Sequence, residues 1–148
     1  VWSISGMSIY THVTNFGTGG NGPSEFSQPS DIKILSNGTI YIADFNNSRL
    51  SVWSVSGNAT ITHVTTIASE NMEYPFSFEF LPNGMVVIMN INNDNFDVWT
   101  YTGYNFTKVN SFGSRGPELN QFNRPFDVNY IDGKLFIGDR LNNRISIW

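Results

Sequence analysis

Short runs in which apolar and polar residues alternate fill this chain, and turn-forming residues separate them. Alternation puts every second side chain on one face of a strand, so each run predicts a half-buried β-strand. Asn37 and Gly38 separate the first two complete runs, and this pair tolerates the positive φ angles of a tight hairpin turn. The pattern therefore predicts an all-β protein made of antiparallel hairpins. The first four complete runs cover residues 30–35, 39–43, 49–53 and 60–68.

The same pattern occurs three times along the chain. The segment that begins at Trp2 has closely similar copies at Trp53 and Trp99. Successive tryptophans stand 51, 46 and 49 residues apart when Trp148 is counted as the start of a further copy. Four antiparallel strands repeated at such a period are typical of β-propeller blades, which bury their apolar faces only by stacking. The chain is therefore one propeller region over 1–148, with three predicted blades at 2–52, 53–98 and 99–148.

Composition narrows the class of function. Apolar residues make up 40% of the 148 residues, which is enough for a packed core. The net charge of −4 disfavours nucleic acid as a partner, because affinity for phosphates depends on Lys and Arg. No apolar run approaches the roughly 20 residues that a membrane-spanning helix needs. Cysteine is absent, which excludes disulfides and thiolate metal sites.

One polar element recurs in register with the repeat. It reads Asp-x-x-Asn-x-Arg-apolar, and Phe-Gly and Pro positions precede it in both copies that carry it. This pattern resembles the NHL repeat, over essentially the whole chain. The resemblance implies a propeller that is usually six-bladed and that binds protein or RNA partners, although some relatives with this architecture are lyases or lactonases. The element comprises Asp44, Asn47 and Arg49 in the first copy and Asp139, Asn142 and Arg144 in the third.

The middle copy departs from this element. Asn90 stands in place of the aspartate, Asn95 replaces the arginine, and the approach loop 69–75 is shorter than the loop 18–29. Arg binds a carboxylate through a planar fork, so the recurring Asp–Arg pairs are expected to pin a loop to the following strand. A structural role is therefore favoured over a catalytic one, and we call such an Asp–Arg pair, which holds a loop to a strand, a staple.

The ends of the chain predict open strand edges. Segment 8–16 is expected to form the outer strand of a neighbouring or partner blade, and the last blade ends without an outer strand. Propellers use four to eight blades, so the three predicted here are too few to close a ring. Two alternatives would resolve this. Two chains could donate this segment to each other and close a homodimeric ring, or the chain is an excerpt of a longer repeat array; head-to-tail donation that does not close would give a filament. The predicted self-association residues are Ser8, Tyr10, His12, Thr14, Phe16, Arg144, Ser146 and Trp148.

The sequence gives little support for a metal site or a catalytic site. Loops rich in Asn and Asp could bind Ca²⁺, but their recurrence favours side chains that cap turns, so neither a cofactor nor a metal is predicted. His12 and His63 fall on outer strands, away from the channel where a catalytic histidine is expected. The chain is predicted not to be an enzyme; the alternative is a six-bladed enzyme of the lyase or lactonase type with a metal at the central channel. The carboxylates that could reach that channel are Glu25, Asp31, Glu73, Glu79, Glu118 and Asp127.

The low charged fraction, 14%, together with abundant Asn, Ser and Thr, favours an extracellular location. We therefore expect a secreted interaction or structural module whose partners are proteins, including itself, and which can carry N-linked glycan. Only Arg115, Arg124 and Arg140 could contribute to a basic surface that binds RNA. The candidate glycosylation sites are Asn37, Asn46, Asn58 and Asn105.

Overall fold

The computed structural model describes residues 2–5, 9–57 and 59–148, with the backbone alone for 2–5 and 9–11. The described residues form β-strands and two short 3₁₀ turns. They include no helix long and apolar enough to cross a bilayer. The prediction of an all-β chain with mostly antiparallel pairing is confirmed.

Two small strand pairs precede the main sheets. Strand β1 (Trp2–Ser5) pairs antiparallel with β2 (Ile9–His12). Strands β3 (Thr18–Gly19) and β4 (Glu25–Phe26) form a short parallel pair inside the loop that leads to the first large sheet. The expectation that residues 8–16 form one outer strand is therefore met only over Ile9–His12; Ser8 lies outside the described residues, and residues 13–17 belong to no strand.

Three larger antiparallel sheets follow in chain order. Each is a meander, so every strand pairs with its neighbour in sequence. Sheet 1 contains β5 (Pro29–Ile34), β6 (Thr39–Asp44), β7 (Arg49–Ser56) and β8 (Thr60–Ala68). Sheet 2 contains β9 (Pro75–Phe80), β10 (Met85–Asn90), β11 (Asn95–Thr102) and β12 (Asn105–Phe112). Sheet 3 contains β13 (Pro125–Ile131), β14 (Lys134–Asp139) and β15 (Arg144–Ile147).

Tight turns join the first two strands of each sheet. In sheet 1, Gly38 adopts φ 82° and its N–H bonds the Leu35 carbonyl, while the Asn37 side chain accepts the N–H of Thr39. Sheet 3 uses Asp132 and Gly133, both at positive φ. Positive φ at both positions, the conformation expected of an Asn-Gly or Asp-Gly pair, therefore occurs in sheet 3; in sheet 1 only Gly38 adopts it, because the connection there is three residues long, 36–38.

The apolar core lies between the sheets, which stack face to face. Strand β10 is almost wholly apolar because both of its faces are covered. Val86 and Ile88 pack in the cluster shared with sheet 1, whereas Val87 and Met89 pack in the cluster shared with sheet 3. Phe78 from β9 is fully buried in the first of these clusters.

The stack of sheets does not close on itself, so its two ends carry exposed apolar side chains. On the leading face of sheet 1, Ile32 is 50% and Ile34 is 63% exposed. On the trailing face of sheet 3, Ile145 is 65% and Ile147 is 59% exposed. Residues at corresponding positions inside the stack, such as Phe78, are buried. The two end faces are therefore suited to further packing.

Candidate interaction face

A buried arginine holds the loop that leads into sheet 1. Arg49 donates from Nε to Asp44 Oδ2 at 2.7 Å. Its Nη1 donates to the Asn21 carbonyl at 3.1 Å, and its Nη2 donates to the carbonyls of Gly22 and Glu25, both at 2.7 Å. The guanidinium therefore binds the loop backbone at three points while a buried carboxylate compensates its charge.

The carboxylate of Asp44 organises the same loop from the other side. Its Oδ1 accepts the backbone N–H of Ser27 at 2.7 Å, and its Oδ2 accepts Asn47 Nδ2 at 2.8 Å. Asn47 also donates to the Gly20 carbonyl at 2.9 Å. Each member of the recurring Asp-x-x-Asn-x-Arg element thus contacts loop backbone in the first copy.

The third copy reproduces the arrangement on sheet 3. Arg144 donates to Asp139 Oδ2 at 2.7 Å and to the carbonyls of Pro117, Glu118 and Gln121, each at 2.6 Å. The difference lies in solvent exposure, because the side chain of Arg144 is 28% exposed and that of Arg49 is 9% exposed. Asn142 completes the copy by donating to Asp139 and to a loop carbonyl.

The middle copy replaces this staple with a different charge pair. Asp97 is buried in β11 and accepts Lys108 Nζ from β12 at 2.9 Å. Asn90 Nδ2 donates to Asp97 Oδ2 at 2.8 Å and to Asn95 Oδ1 at 3.0 Å. Sequence reasoning missed this pair; the available signal was an aspartate at the position that Ser51 occupies in the first copy.

The glycine of each Phe-Gly motif is required by close packing. Gly17 adopts φ 79° and Gly113 adopts φ 96°, where residues with a side chain are strained. A Cβ on Gly17 would overlap the ring of Phe26, and one on Gly113 would overlap the ring of Phe122. The loops can approach these rings only because no side chain intervenes.

Inner strands from all three sheets meet at a polar cluster. Ser77 Oγ lies 3.0 Å from Asp31 Oδ2 and 2.8 Å from Asp127 Oδ1, and its single proton can be donated to only one of them at a time. Asp31 Oδ2 also accepts the backbone N–H of Phe78 at 2.9 Å. The cluster therefore ties the inner strands together.

Lys33 and Glu79 extend this cluster. Lys33 Nζ lies 2.9 Å from Glu79 Oε2 and 3.9 Å from Asp31 Oδ2. Burial lowers the pKa of Lys33, but the Glu79 hydrogen bond and the nearby carboxylates outweigh burial, so the net pKa is raised. The ammonium consequently stays charged at neutral pH and offsets part of the local negative charge.

The six carboxylates that were candidates for the channel do not gather at one place. Asp31, Glu79 and Asp127 lie together on inner strands, as described. Glu25 instead accepts the N–H of Gly22 within its own loop, and Glu73 accepts Asn93 Nδ2 at 2.9 Å. Among the described residues, no group of three or more His, Cys, Asp or Glu side chains is arranged to hold a metal ion.

The histidines lie toward the outer strands. His12 is exposed and its Nε2 lies 3.0 Å from Asn15 Oδ1. His63 packs edge-on against Trp53, with ring centroids 5.2 Å apart. His63 lies in the outer strand β8 of sheet 1, whereas Ser77 lies in the inner strand β9 of sheet 2.

The candidate glycosylation sites and the predicted self-association residues near the C-terminus differ in solvent accessibility. Asn37, Asn46 and Asn105 are exposed, while Asn58 lies outside the described residues. Near the C-terminal edge, Ser146 is buried and Trp148 stacks on Phe122 with centroids 5.6 Å apart.

Antiparallel meander sheets stacked face to face, with recurring staples at one end, define a propeller-like repeat protein. Residues 26–53 match the model of the NHL repeat, which confirms the resemblance and shows that the chain carries an NHL repeat consistent with the NHL-repeat β-propeller family. No curated protein matches the sequence.

Among solved structures, the chain is similar to a "putative 6-phosphogluconolactonase" from Bacteroides uniformis, with a TM-score of 0.50 and 11% sequence identity. The match covers 83% of this chain and 42% of that chain, so this chain spans less than half the length of that protein. At this identity the similarity concerns the fold alone.

Proposed function

We propose that this chain is a non-enzymatic protein-interaction module in which sheets 1, 2 and 3 are three NHL-type propeller blades. NHL repeats commonly mediate protein interactions. The observation that carries the proposal is the use of the recurring polar groups: Arg49 and Arg144 each bind three carbonyls of an adjacent loop. These groups hold the protein's own backbone, which gives a rigid loop face and lowers the entropic cost of binding a partner.

The loop face consists of the loops that enter the inner strands and the turns between the second and third strands. It exposes apolar side chains among polar, mostly uncharged residues. Leu119 is 91% exposed on the loop held by Arg144, and Tyr74 and Leu141 are also exposed. Exposed apolar groups on a rigid frame are suitable anchors for a peptide segment of a partner protein.

Selection from a displayed random-peptide library tests this function. We expect enriched peptides to bind the wild-type protein and to lose at least about tenfold in affinity on Leu119→Arg, because a charge replaces an apolar anchor. Val109→Arg is the matched control, since Val109 is equally a surface residue but lies on the outer strand β12. Peptides that bind both variants like wild type, or a selection that enriches none, would contradict the proposal.

The lactonase-type enzyme is the second candidate, and the fold likeness and the Asp31–Ser77–Asp127 cluster favour it. The test is hydrolysis of 6-phosphogluconolactone with and without added divalent metal ions. We expect no acceleration over the uncatalysed rate, because the cluster's oxygens are bonded across strands. Metal-dependent hydrolysis that Asp127→Asn abolishes would favour the enzyme instead.

We also propose that the module works outside the cell, as a glycoprotein, and associates with itself. Its low charged fraction and the exposure of Asn37, Asn46 and Asn105 at turns and strand ends support this setting. A mass decrease on glycosidase treatment of protein secreted from eukaryotic cells is the expected result; an unchanged mass would contradict the glycoprotein assignment.

A further inference from the structure

A small cavity lies on the loop face where sheets 2 and 3 meet. Its volume is about 200 Å³, and it is lined by Ile91, Asn92, Asp94, Arg115 and Arg124. The first three residues belong to the turn between the second and third strands of sheet 2, and the two arginines belong to the loop that leads into sheet 3. The lining thus comes from one junction inside the stack, away from its two end faces.

The backbone of both arginines is held in place. The N–H of Arg124 donates to Asp94 Oδ1 at 2.6 Å, and Arg124 adopts φ 54°. Arg115 forms a parallel β-bridge with Phe122 inside the same loop. Arg144 binds three further carbonyls of this loop. Both side chains therefore project from ordered backbone, which lowers the entropic cost of binding a ligand.

The guanidinium groups of Arg115 and Arg124 are not engaged by the fold. Both residues are exposed, and over residues 9–57 and 59–148 neither guanidinium takes part in a hydrogen bond or an ion pair. Asp94 is the carboxylate of the lining; it is 6% exposed and accepts a backbone N–H. Two guanidinium charges against this one carboxylate leave one positive charge uncompensated in the lining. Other basic residues form ion pairs with carboxylates instead, namely Lys33, Arg49, Lys108 and Arg144.

The corresponding place between sheets 1 and 2 is filled by aromatic rings. Phe45 and Tyr74 occupy the positions of Ile91 and Arg124, and their ring centroids lie 5.5 Å apart. The backbone bond between the sheets is present there too, since the N–H of Tyr74 donates to Ser48 Oγ at 3.3 Å. The junction between two sheets can therefore form without an arginine at this position and without a polar cavity.

The loop that leads into sheet 1 also forms without these arginines. Gly19 stands at the position of Arg115, and Gln28 stands at that of Arg124. Gln28 adopts φ 53°, and Gly19 pairs in parallel with Phe26, so the backbone arrangement is the same. Since the repeat folds in this way with glycine and glutamine, the loop conformation does not explain the two arginines. A ligand that needs positive charge does.

We propose that this cavity binds the carboxylate of an Asp or Glu side chain in a peptide segment of a partner protein. A guanidinium presents paired N–H donors in a plane, which match the two oxygens of a carboxylate. One carboxylate also balances the one uncompensated positive charge of the lining. This inference rests on the proposed interaction function and deepens it by naming the chemistry that the partner segment presents.

The charge distribution favours an acidic peptide over nucleic acid. Proteins bind nucleic acid through many cations spread along a row of phosphates. Here two arginines line a single cavity, in a chain of net charge −4. A phosphorylated side chain would bring a charge of about −1.5 to −2, more than this lining balances beside Asp94. The exposed Leu119 lies in the same loop as both arginines, so the loop face suits a segment with an acidic and an apolar residue.

Four pools of labelled six-residue peptides test the proposal by fluorescence polarisation. Each pool has one residue fixed at the third position, either Glu, Gln, phosphoserine or Ser, and mixtures at the other positions. We expect the Glu pool to bind the wild-type protein about five- to tenfold more tightly than the Gln pool, because charge-assisted hydrogen bonds replace neutral ones. The phosphoserine pool should bind no more tightly than the Glu pool.

Variants of the cavity assign this preference to the two arginines. The double variant Arg115→Gln/Arg124→Gln should bind the Glu and Gln pools alike, and each single variant should retain part of the preference. Glutamine already stands at φ 53° in the first loop, so Arg124→Gln should keep the fold. Lys134→Gln is the matched control, since it removes the same charge from an exposed residue at the opposite end of sheet 3, and it should keep the full preference.

Several outcomes would overturn the proposal. They are equal binding of the Glu and Gln pools to the wild-type protein, a preference that survives in the double variant, and a preference that Lys134→Gln removes. Tighter binding of the phosphoserine pool, or of a labelled single-stranded RNA that needs both arginines, would replace the carboxylate with another ligand. Pools that bind without preference would remove this inference and leave the interaction function intact, whereas failure of all four pools to bind would contradict both.

Discussion

Replacing Arg49 with alanine is expected to lower the free energy of unfolding by about 3–5 kcal/mol, because it leaves a buried carboxylate without its counter-charge. Asp44 is fully buried, and three loop carbonyls lose their donor at the same time. Urea unfolding followed by tryptophan fluorescence measures the loss. Arg49→Lys should recover little of it, since an ammonium cannot reproduce the planar fork.

Arg144→Ala is the matched control for this prediction. It removes the same set of hydrogen bonds and also leaves a buried carboxylate, that of Asp139, without its counter-charge. The side chain of Arg144 is 28% exposed, however, so water can reach the vacated position and replace part of what is lost. We expect a smaller decrease, about 1–2 kcal/mol. Equal losses for the two variants, or a larger loss for Arg144→Ala, would show that burial does not set the strength of the staple.

Phe78→Ala is expected to cost about 3–5 kcal/mol, because it opens a cavity between sheets 1 and 2 that the strands cannot collapse to fill. Phe78 is fully buried and belongs to the larger apolar cluster. Thermal or urea unfolding at low protein concentration measures the change.

Ile32→Ala provides the comparison, because Ile32 occupies the position equivalent to Phe78 on the exposed leading face. At concentrations where the chain is monomeric, we expect a cost of about 1 kcal/mol or less, as for other partly exposed positions. A cost for Ile32→Ala as large as that for Phe78→Ala would mean that the leading face is already covered in the monomer.

The repeat and its hairpins could be predicted from sequence because both rest on local signals. The predicted strand 60–68 coincides with Thr60–Ala68, and a turn lies at Asn37 and Gly38 as expected, although only Gly38 adopts the positive φ expected of both. Alternation also distinguishes the outer strands, whereas the continuous apolar run 85–89 indicates a strand covered on both faces.

The partners of the polar groups could not be predicted, because they are backbone atoms brought close by the fold. The Asp44–Arg49 pair follows from the motif, but its bonds to the Asn21, Gly22 and Glu25 carbonyls depend on how the loop folds. The pairing of Asp97 with Lys108 was hidden for a similar reason, since a β-bulge shifts the register between β11 and β12.

The most direct test of the rigid loop face is hydrogen–deuterium exchange of its backbone amides. The N–H groups of Gly20, Ser27, Gly116 and Asn123 are all hydrogen-bonded within the stapled loops. We predict that they exchange as slowly as strand amides in the wild-type protein. In Arg49→Ala, Gly20 and Ser27 should be accelerated more than Gly116 and Asn123, because local opening of the first loop adds to the general loss of stability. Exchange of these amides at the rate of an unstructured peptide in the wild-type protein would contradict the account.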